Sequence, residues 1–371
     1  MQLPRLTEIA ENLPETVPFV GPEAIERKTG IKIRARIGAN ESGFGPSPKV
    51  LAAITEAATG IWQYPDPENY DLRVAIANFH GVSPDEITIG EGVDGLMGLI
   101  VRLFLAPGDV LLTSLGAYPT LNYHVIGFGG RLEYVPYAGP FEDLAALAEA
   151  AQRLKPRIVY VANPDNPMGS FWPAADIEKF IAAVPEDTLI MLDEAYGELA
   201  PDGALPAIDT AKGNVLRLRS FSKAYGLAGI RVGYAIGPKK IIGAFNRVRN
   251  HFGVNRLAQA AAMAALADQD YLQLAKANIA AARTRIAEIA AANGLTALPS
   301  ATNFVAVDCG RDGAYAVRIV EQLALLGVFI RKPGTPGLDH HIRISVGPEA
   351  EMALLAESIP IAIKAAQGAG A

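Results

Sequence analysis

Ser220-Phe221-Ser222-Lys223-Ala224-Tyr225-Gly226-Leu227-Ala228-Gly229-Ile230-Arg231-Val232-Gly233-Tyr234 places two hydroxyls and a lysine within four residues, with an arginine eight positions after the lysine. Largely apolar runs at 215–218 and 232–236 flank the centre of this stretch and read as strands. A loop of that kind can hold one small anion and present one amine. A lone lysine between strands is ordinarily a solvated turn residue, so its meaning depends on what the rest of the chain supplies.

The chain has 371 residues, half of them hydrophobic and 19% charged, a globular composition long enough for two domains and a large buried sheet. A net charge of −6 argues against nucleic acid as the main partner. Arg5, Glu8 and Glu11 interrupt the apolar core that a signal peptide would need, and the apolar stretch 96–106 is broken by Arg102 and too short for a bilayer, so no membrane role is expected. The single cysteine, Cys309, cannot form an internal disulfide and fits a cytoplasmic location; it reads as a small buried hydrophobe.

Residues 1–39 are polar and proline-punctuated, with a short helix at 23–28, and read as an arm that packs on something else. The run Asn40-Glu41-Ser42-Gly43-Phe44-Gly45-Pro46-Ser47-Pro48 is a loop, since its turn residues exclude helix and central strand. Trp62-Gln63-Tyr64-Pro65-Asp66-Pro67 is a second, proline-stiffened loop. A strand at 87–90 then runs into Gly90-Glu91-Gly92-Val93-Asp94-Gly95 and an apolar helix at 96–105.

That glycine pattern formally matches a dinucleotide fingerprint, but the next strand, 109–113, ends in Ser114-Leu115-Gly116-Ala117 and supplies no acid for a ribose. The physics that remains is a helix N-terminus whose free amides suit a phosphate. Further on, Tyr118 stands in a loop. The β-branched run 158–162 leads into Asn163-Pro164-Asp165-Asn166-Pro167-Met168-Gly169, where prolines and glycine display Asn166 at a strand end. An apolar strand at 188–192 ends in Asp193-Glu194-Ala195-Tyr196. A carboxylate there is costly unless a cation meets it. Glu194 reads as solvated or locally paired.

Residues 258–292 are alanine-rich with helical spacing. Strands at 303–308, 328–331 and 342–346 with a helix at 314–326 form a β-α-β-β second domain. Arg331 and Arg343 fall at strand ends, where a guanidinium can grip a carboxylate or phosphate. His340 and His341 are adjacent and so point apart; no metal site is expected without further ligands. The Gly/Ala tail after 365 reads as frayed.

Taken in order, these parts resemble the class I and II aminotransferases of fold type I, enzymes that use pyridoxal 5'-phosphate (PLP), and within them the histidinol-phosphate aminotransferase branch. The resemblance runs from Asn40 to Gly347. It implies an α/β fold: a mainly parallel seven-stranded PLP-transferase sheet with helices on both faces, plus a smaller α+β domain. The arm would span 1–39, the PLP-binding domain 40–260 and the small domain 261–371.

By the same resemblance Lys223 carries PLP as a Schiff base and moves the substrate proton, Asp193 meets the ring nitrogen, and Tyr196 and Asn166 meet the phenolic oxygen. Tyr118 would stack on the ring. Ser220, Ser222, Arg231 and the turn Gly92, Val93, Asp94 would hold the phosphate, although the family often has Ser or Thr where Val93 stands. Tyr64 would reach the phosphate of a neighbouring subunit, making the active unit a homodimer with shared sites. Asn40, Arg331 and Arg343 would bind substrate. The implied reaction moves an amino group between an amino acid or amino-alcohol phosphate and a 2-oxo acid such as 2-oxoglutarate. A decarboxylase on the same scaffold, resembling the threonine-phosphate decarboxylases, would share nearly all these residues; a nicotinamide dehydrogenase and a non-catalytic PLP-binding regulatory domain are the remaining alternatives.

Overall fold

The computed structural model describes residues 4–15 and 19–368. Parts of the expected arm (1–3, 16–18) and the last residues of the tail (369–371) lie outside them. Its strands are, in chain order, β1 (Ala35–Arg36), β2 (Ile87–Gly90), β3 (Val110–Ser114), β4 (Arg131–Val135), β5 (Ile158–Ala162) and β6 (Leu189–Asp193). The second half adds β7 (Val215–Ser220), β8 (Gly233–Ile236), β9 (Thr296–Ala297), β10 (Phe304–Asp308), β11 (Val328–Phe329) and β12 (His341–Ser345).

Seven strands form one sheet in the order β2-β8-β7-β6-β5-β3-β4. The β7-β6-β5-β3-β4 run is parallel, while β8 and β2 close one edge antiparallel. Every residue of β5, β6 and β7 is buried, as expected for parallel strands covered on both faces. On one face Ile158, Tyr160, Met191, Leu216 and Leu218 pack with Leu96, Met97 and Ile100 of the helix Gly92–Phe104. On the other, Val159, Val161, Ile190 and Leu192 pack with Leu147, Ile177 and Phe180 of the helices Leu144–Leu154 and Ala174–Ala183. Period-two alternation divides each strand between these two cores.

The strand preceding the glycine turn, β2, pairs only with β8 and antiparallel. The strand that follows its helix, β3, lies five places away in the sheet and is not its neighbour, so the two cannot form the adjacent βαβ unit that a dinucleotide site requires, which removes the nicotinamide reading.

The alanine-rich region is two helices, Arg256–Ala267 and Gln269–Ala292, interrupted at Asp268, whose carboxylate receives Lys49 Nζ at 2.8 Å. A three-stranded antiparallel sheet, β12-β10-β9, follows. The expected β-α-β-β order is present, but β11 pairs with β1 in parallel, Ala35 opposite Val328, and not with β12. The connection to β12 carries Pro333, Gly334, Pro336 and Gly337, which prevent a tight hairpin; one bridge, Arg331 to Arg343, joins its ends. The strand expected at 328–331 therefore stops at Phe329. Among the described residues no helix is long and apolar enough to cross a membrane.

Candidate active site

Alternation and register decide which side chains meet. Asp193 ends β6 opposite Ala162 of β5, and Ser220 ends β7. Tyr160, Asp193 and Ser220 share the parity of the residues that face the helix Gly92–Phe104, so all three open onto one cavity above the carboxyl ends of the strands. Its volume is about 240 Å³, and Asp94, Tyr118, Asn166, Asp193, Tyr196, Ser220, Ser222, Lys223 and Arg231 line it.

At the floor, Asp193 is buried and accepts the Tyr160 hydroxyl (2.8 Å) and the Ala195 amide (2.9 Å). Burial pushes its acid up to about 6, against the pull of those two donors. Such a group favours a cationic partner. Lys223 Nζ projects over the Tyr196 ring, 5.6 Å from its centre, and donates to the Asn40 carbonyl at 3.2 Å. Burial first, then the charges of Arg343 and Arg231, bring its amine down to about 8. Burial also raises the Tyr196 phenol.

The opposite end suits an anion. Gly92 opens the helix at φ 75°, and a Cβ there would collide with the Arg231 guanidinium. Arg231 itself sits at φ 59° and spans Asp94 Oδ2 (3.5 Å) and the Ala228 carbonyl (3.1 Å). Ser220 Oγ accepts the Ser222 amide at 3.0 Å. Two hydroxyls, a guanidinium and the amides of a helix N-terminus thus converge. Val93 is buried and adds no hydroxyl. Tyr118 donates to Asp94 Oδ1 at 2.9 Å, which fixes its ring beside the cavity.

A wider recess of about 790 Å³ adjoins this cavity and shares Lys223, Tyr118 and Asn166 with it. Arg331 and Arg343 form one wall. Arg343 donates to Asn166 Oδ1 (2.6 Å) and keeps a buried Nε with no partner. Arg331 lies over Phe19 and Phe329 and donates to the Val20 carbonyl at 3.1 Å. Asn40, at φ 56°, donates Nδ2 to the Tyr196 hydroxyl (3.0 Å) and accepts the Ser345 hydroxyl (3.0 Å). It therefore joins the first loop to β12 and to the lysine at once. Met168 lies buried against Ala306 and Leu338.

Tyr64 is not in this cavity. It is 78% exposed and packs on Phe252, ring centres 4.7 Å apart. Glu194 is not solvated: it is fully buried and held by Arg217 (2.6 Å) and Arg219 (2.7 Å) of β7, with Glu198 bonded to Arg219 at 3.1 Å. Two carboxylates and two guanidiniums balance, which is what lets charge lie beneath the site. His340 and His341 do not point apart, since their ring centres are 4.0 Å from one another; His340 precedes β12, where strand alternation does not apply. Sequence reasoning also missed Tyr160, although alternation from Ala162 would have put it on the site face, and Ser345, which only the fold brings to Asn40.

The donor set fits PLP: an acid for the ring nitrogen, an amine beside it, and an anion cradle at the far end. Fold and site together define a fold-type I PLP-dependent enzyme. The chain belongs to the aminotransferase class I and II family, whose sequence model matches residues 35–359. It is 36% identical to histidinol-phosphate aminotransferase 2 of Carboxydothermus hydrogenoformans over 92% of this chain and 95% of that one. It is 38% identical to the histidinol-phosphate aminotransferase of an Anaeromyxobacter species over 94% and 96%. The solved structure of histidinol-phosphate aminotransferase from Sinorhizobium meliloti in complex with pyridoxal-5'-phosphate matches with a TM-score of 0.95 and 56% identity, over 98% of both chains. The protein is a PLP-dependent aminotransferase similar to these.

Proposed function

We propose that this aminotransferase moves an amino group from an amino-alcohol phosphate of the histidinol-phosphate type, or an amino acid, to a 2-oxo acid such as 2-oxoglutarate. The observation that carries the substrate class is the pair Arg331 and Arg343 on the wall beside Lys223, with Arg343 Nε buried and free. A buried guanidinium that keeps one N–H unpartnered favours an incoming phosphate or carboxylate.

When bound, PLP withdraws electrons from the substrate Cα so that its proton and its amine can leave. Lys223 would hold PLP covalently and move the proton at Cα. An amine with its acid near 8 has roughly a tenth of its population free at neutral pH. Asp193, fixed by Tyr160, would keep the ring nitrogen protonated. Tyr196 and Asn166 would meet the phenolic oxygen, Tyr118 the ring face, and Ser220, Ser222, Arg231 and the Gly92–Asp94 turn the phosphate. Asn40 would align Tyr196 with the substrate. In this reading residues 1–39, 40–260 and 261–371 act as arm, cofactor domain and small domain, and the arginine wall joins the last two.

Tyr64 supports a two-fold dimer, because its loop lies outside its own cavity and exposes Trp62 at 81%. Screening amine donors against 2-oxoglutarate and following glutamate tests the reaction. Carbon dioxide in place of a keto product would instead establish the decarboxylase.

A further inference from the structure

At the far end of β12 from the site, a second cluster stands apart from the chemistry described so far. Asp308 closes β10 directly opposite His341, the first residue of β12. Directly opposed residues on an antiparallel pair carry Cβ atoms about 4.5–5.5 Å apart on the same face. His340 joins them from the preceding turn, and one ligand atom from each of the three lies within 4.8 Å of the others.

Two features go beyond proximity. The His341 Nδ1 lies 3.1 Å from the Leu338 carbonyl, which can only accept, so that nitrogen carries the hydrogen and Nε2 keeps its lone pair. Asp308 Oδ1 accepts the Gly310 amide at 2.8 Å, leaving Oδ2 available. Metal-binding histidines and carboxylates are oriented in this way by backbone groups behind them. Asp339 adds negative charge nearby, and the neighbouring Cys309 is buried, its Sγ turned to the Val307 carbonyl at 3.9 Å, outside the cluster.

We propose that Asp308, His340 and His341 bind one divalent transition-metal ion of the zinc class. Two imidazoles and one carboxylate suit zinc or nickel and are poor for magnesium or calcium. Ligand atoms around tetrahedral zinc stand about 3.4 Å apart, so closure needs a movement of roughly 1 Å, which the half-exposed His340 can supply. The ion would staple the open end of the β10–β12 ladder. It would also pin the foot of the 332–340 loop, whose first residues line the substrate recess.

The test uses dialysed, PLP-loaded protein and zinc chloride alone. One equivalent of zinc is expected to remain after equilibrium dialysis against micromolar zinc, with a rise in thermal midpoint, because an ion bound only by the folded chain stabilises it. His340→Ala and Asp308→Asn should each weaken binding at least about tenfold and leave the metal-free melting temperature and the PLP absorbance unchanged. Cys309→Ser should bind as wild type does. Zinc retained equally by His340→Ala and Asp308→Asn, no retained zinc in wild type, or loss on Cys309→Ser would each overturn the site.

Discussion

The cavity around Lys223 and the loop around Tyr64 were both singled out by the sequence, yet the fold treats them in opposite ways. The first is enclosed, and its polar groups already answer one another: Tyr160 to Asp193, Tyr118 to Asp94, Asn40 to Tyr196. The second is open. Ile61, Trp62 and Tyr64 are 66%, 81% and 78% exposed, beside a half-exposed Phe252, a concentration of large apolar surface that a lone chain seldom leaves in water. On the proposed dimer, the contrast is that of one functional site written in two stretches that do not meet within one subunit.

The largest effect should come from the enclosed half. Lys223→Ala is expected to abolish covalent retention of PLP and to reduce transamination to background. Borohydride reduction followed by peptide mass mapping should tag Lys223 in wild type and no lysine in the variant; a tag elsewhere would displace the whole assignment.

Asp193→Asn should follow, with PLP still bound and turnover lowered by orders of magnitude, since a neutral amide no longer holds the ring nitrogen protonated. Turnover within a few-fold of wild type would remove that role. Arg343→Lys should be milder. Losing the planar fork to the substrate anion costs about 1.5–3 kcal/mol, or roughly 10- to 150-fold in donor kcat/KM. PLP retention should not change, and a change there would move Arg343 from the substrate wall into the cofactor cradle.

The cavity was legible because its residues stand at strand ends and, taken in order, resemble the segments of one enzyme family. Asn166, Asp193 and Lys223 each follow a largely apolar run. Besides Ser345, three things were not legible, each for a physical reason. Arg217 and Arg219 interrupt an apolar strand and point to the face where Glu194 lies, a pairing visible only once β6 and β7 are side by side. The β1–β11 pair joins Ala35 to Val328, and two-residue strands so far apart leave no periodicity to read. The histidine pair was read by alternation at a position just before alternation begins.

Tyr64→Phe should have the smallest effect on turnover, since it weakens PLP retention alone, and it gives the sharpest answer about the open half. If its hydroxyl serves the phosphate of a second subunit, removing one hydrogen bond to a charged group costs about 1.5–3 kcal/mol, so PLP retention should weaken without a change in melting behaviour of the cofactor-free chain. That alone does not say whose phosphate is involved. Mixing does. A heterodimer of Lys223→Ala and Tyr64→Phe subunits has two sites; if Tyr64 acts across the interface, one site carries both lesions and the other carries neither. Activity at limiting PLP should then rise above that of either parent mixture. If Tyr64 acts within its own subunit, every site carries one lesion and no rise appears, even after subunit exchange has been verified by mass. The exposed aromatic loop would in that case need a different occupant, and the site around Lys223 would be complete in a single chain.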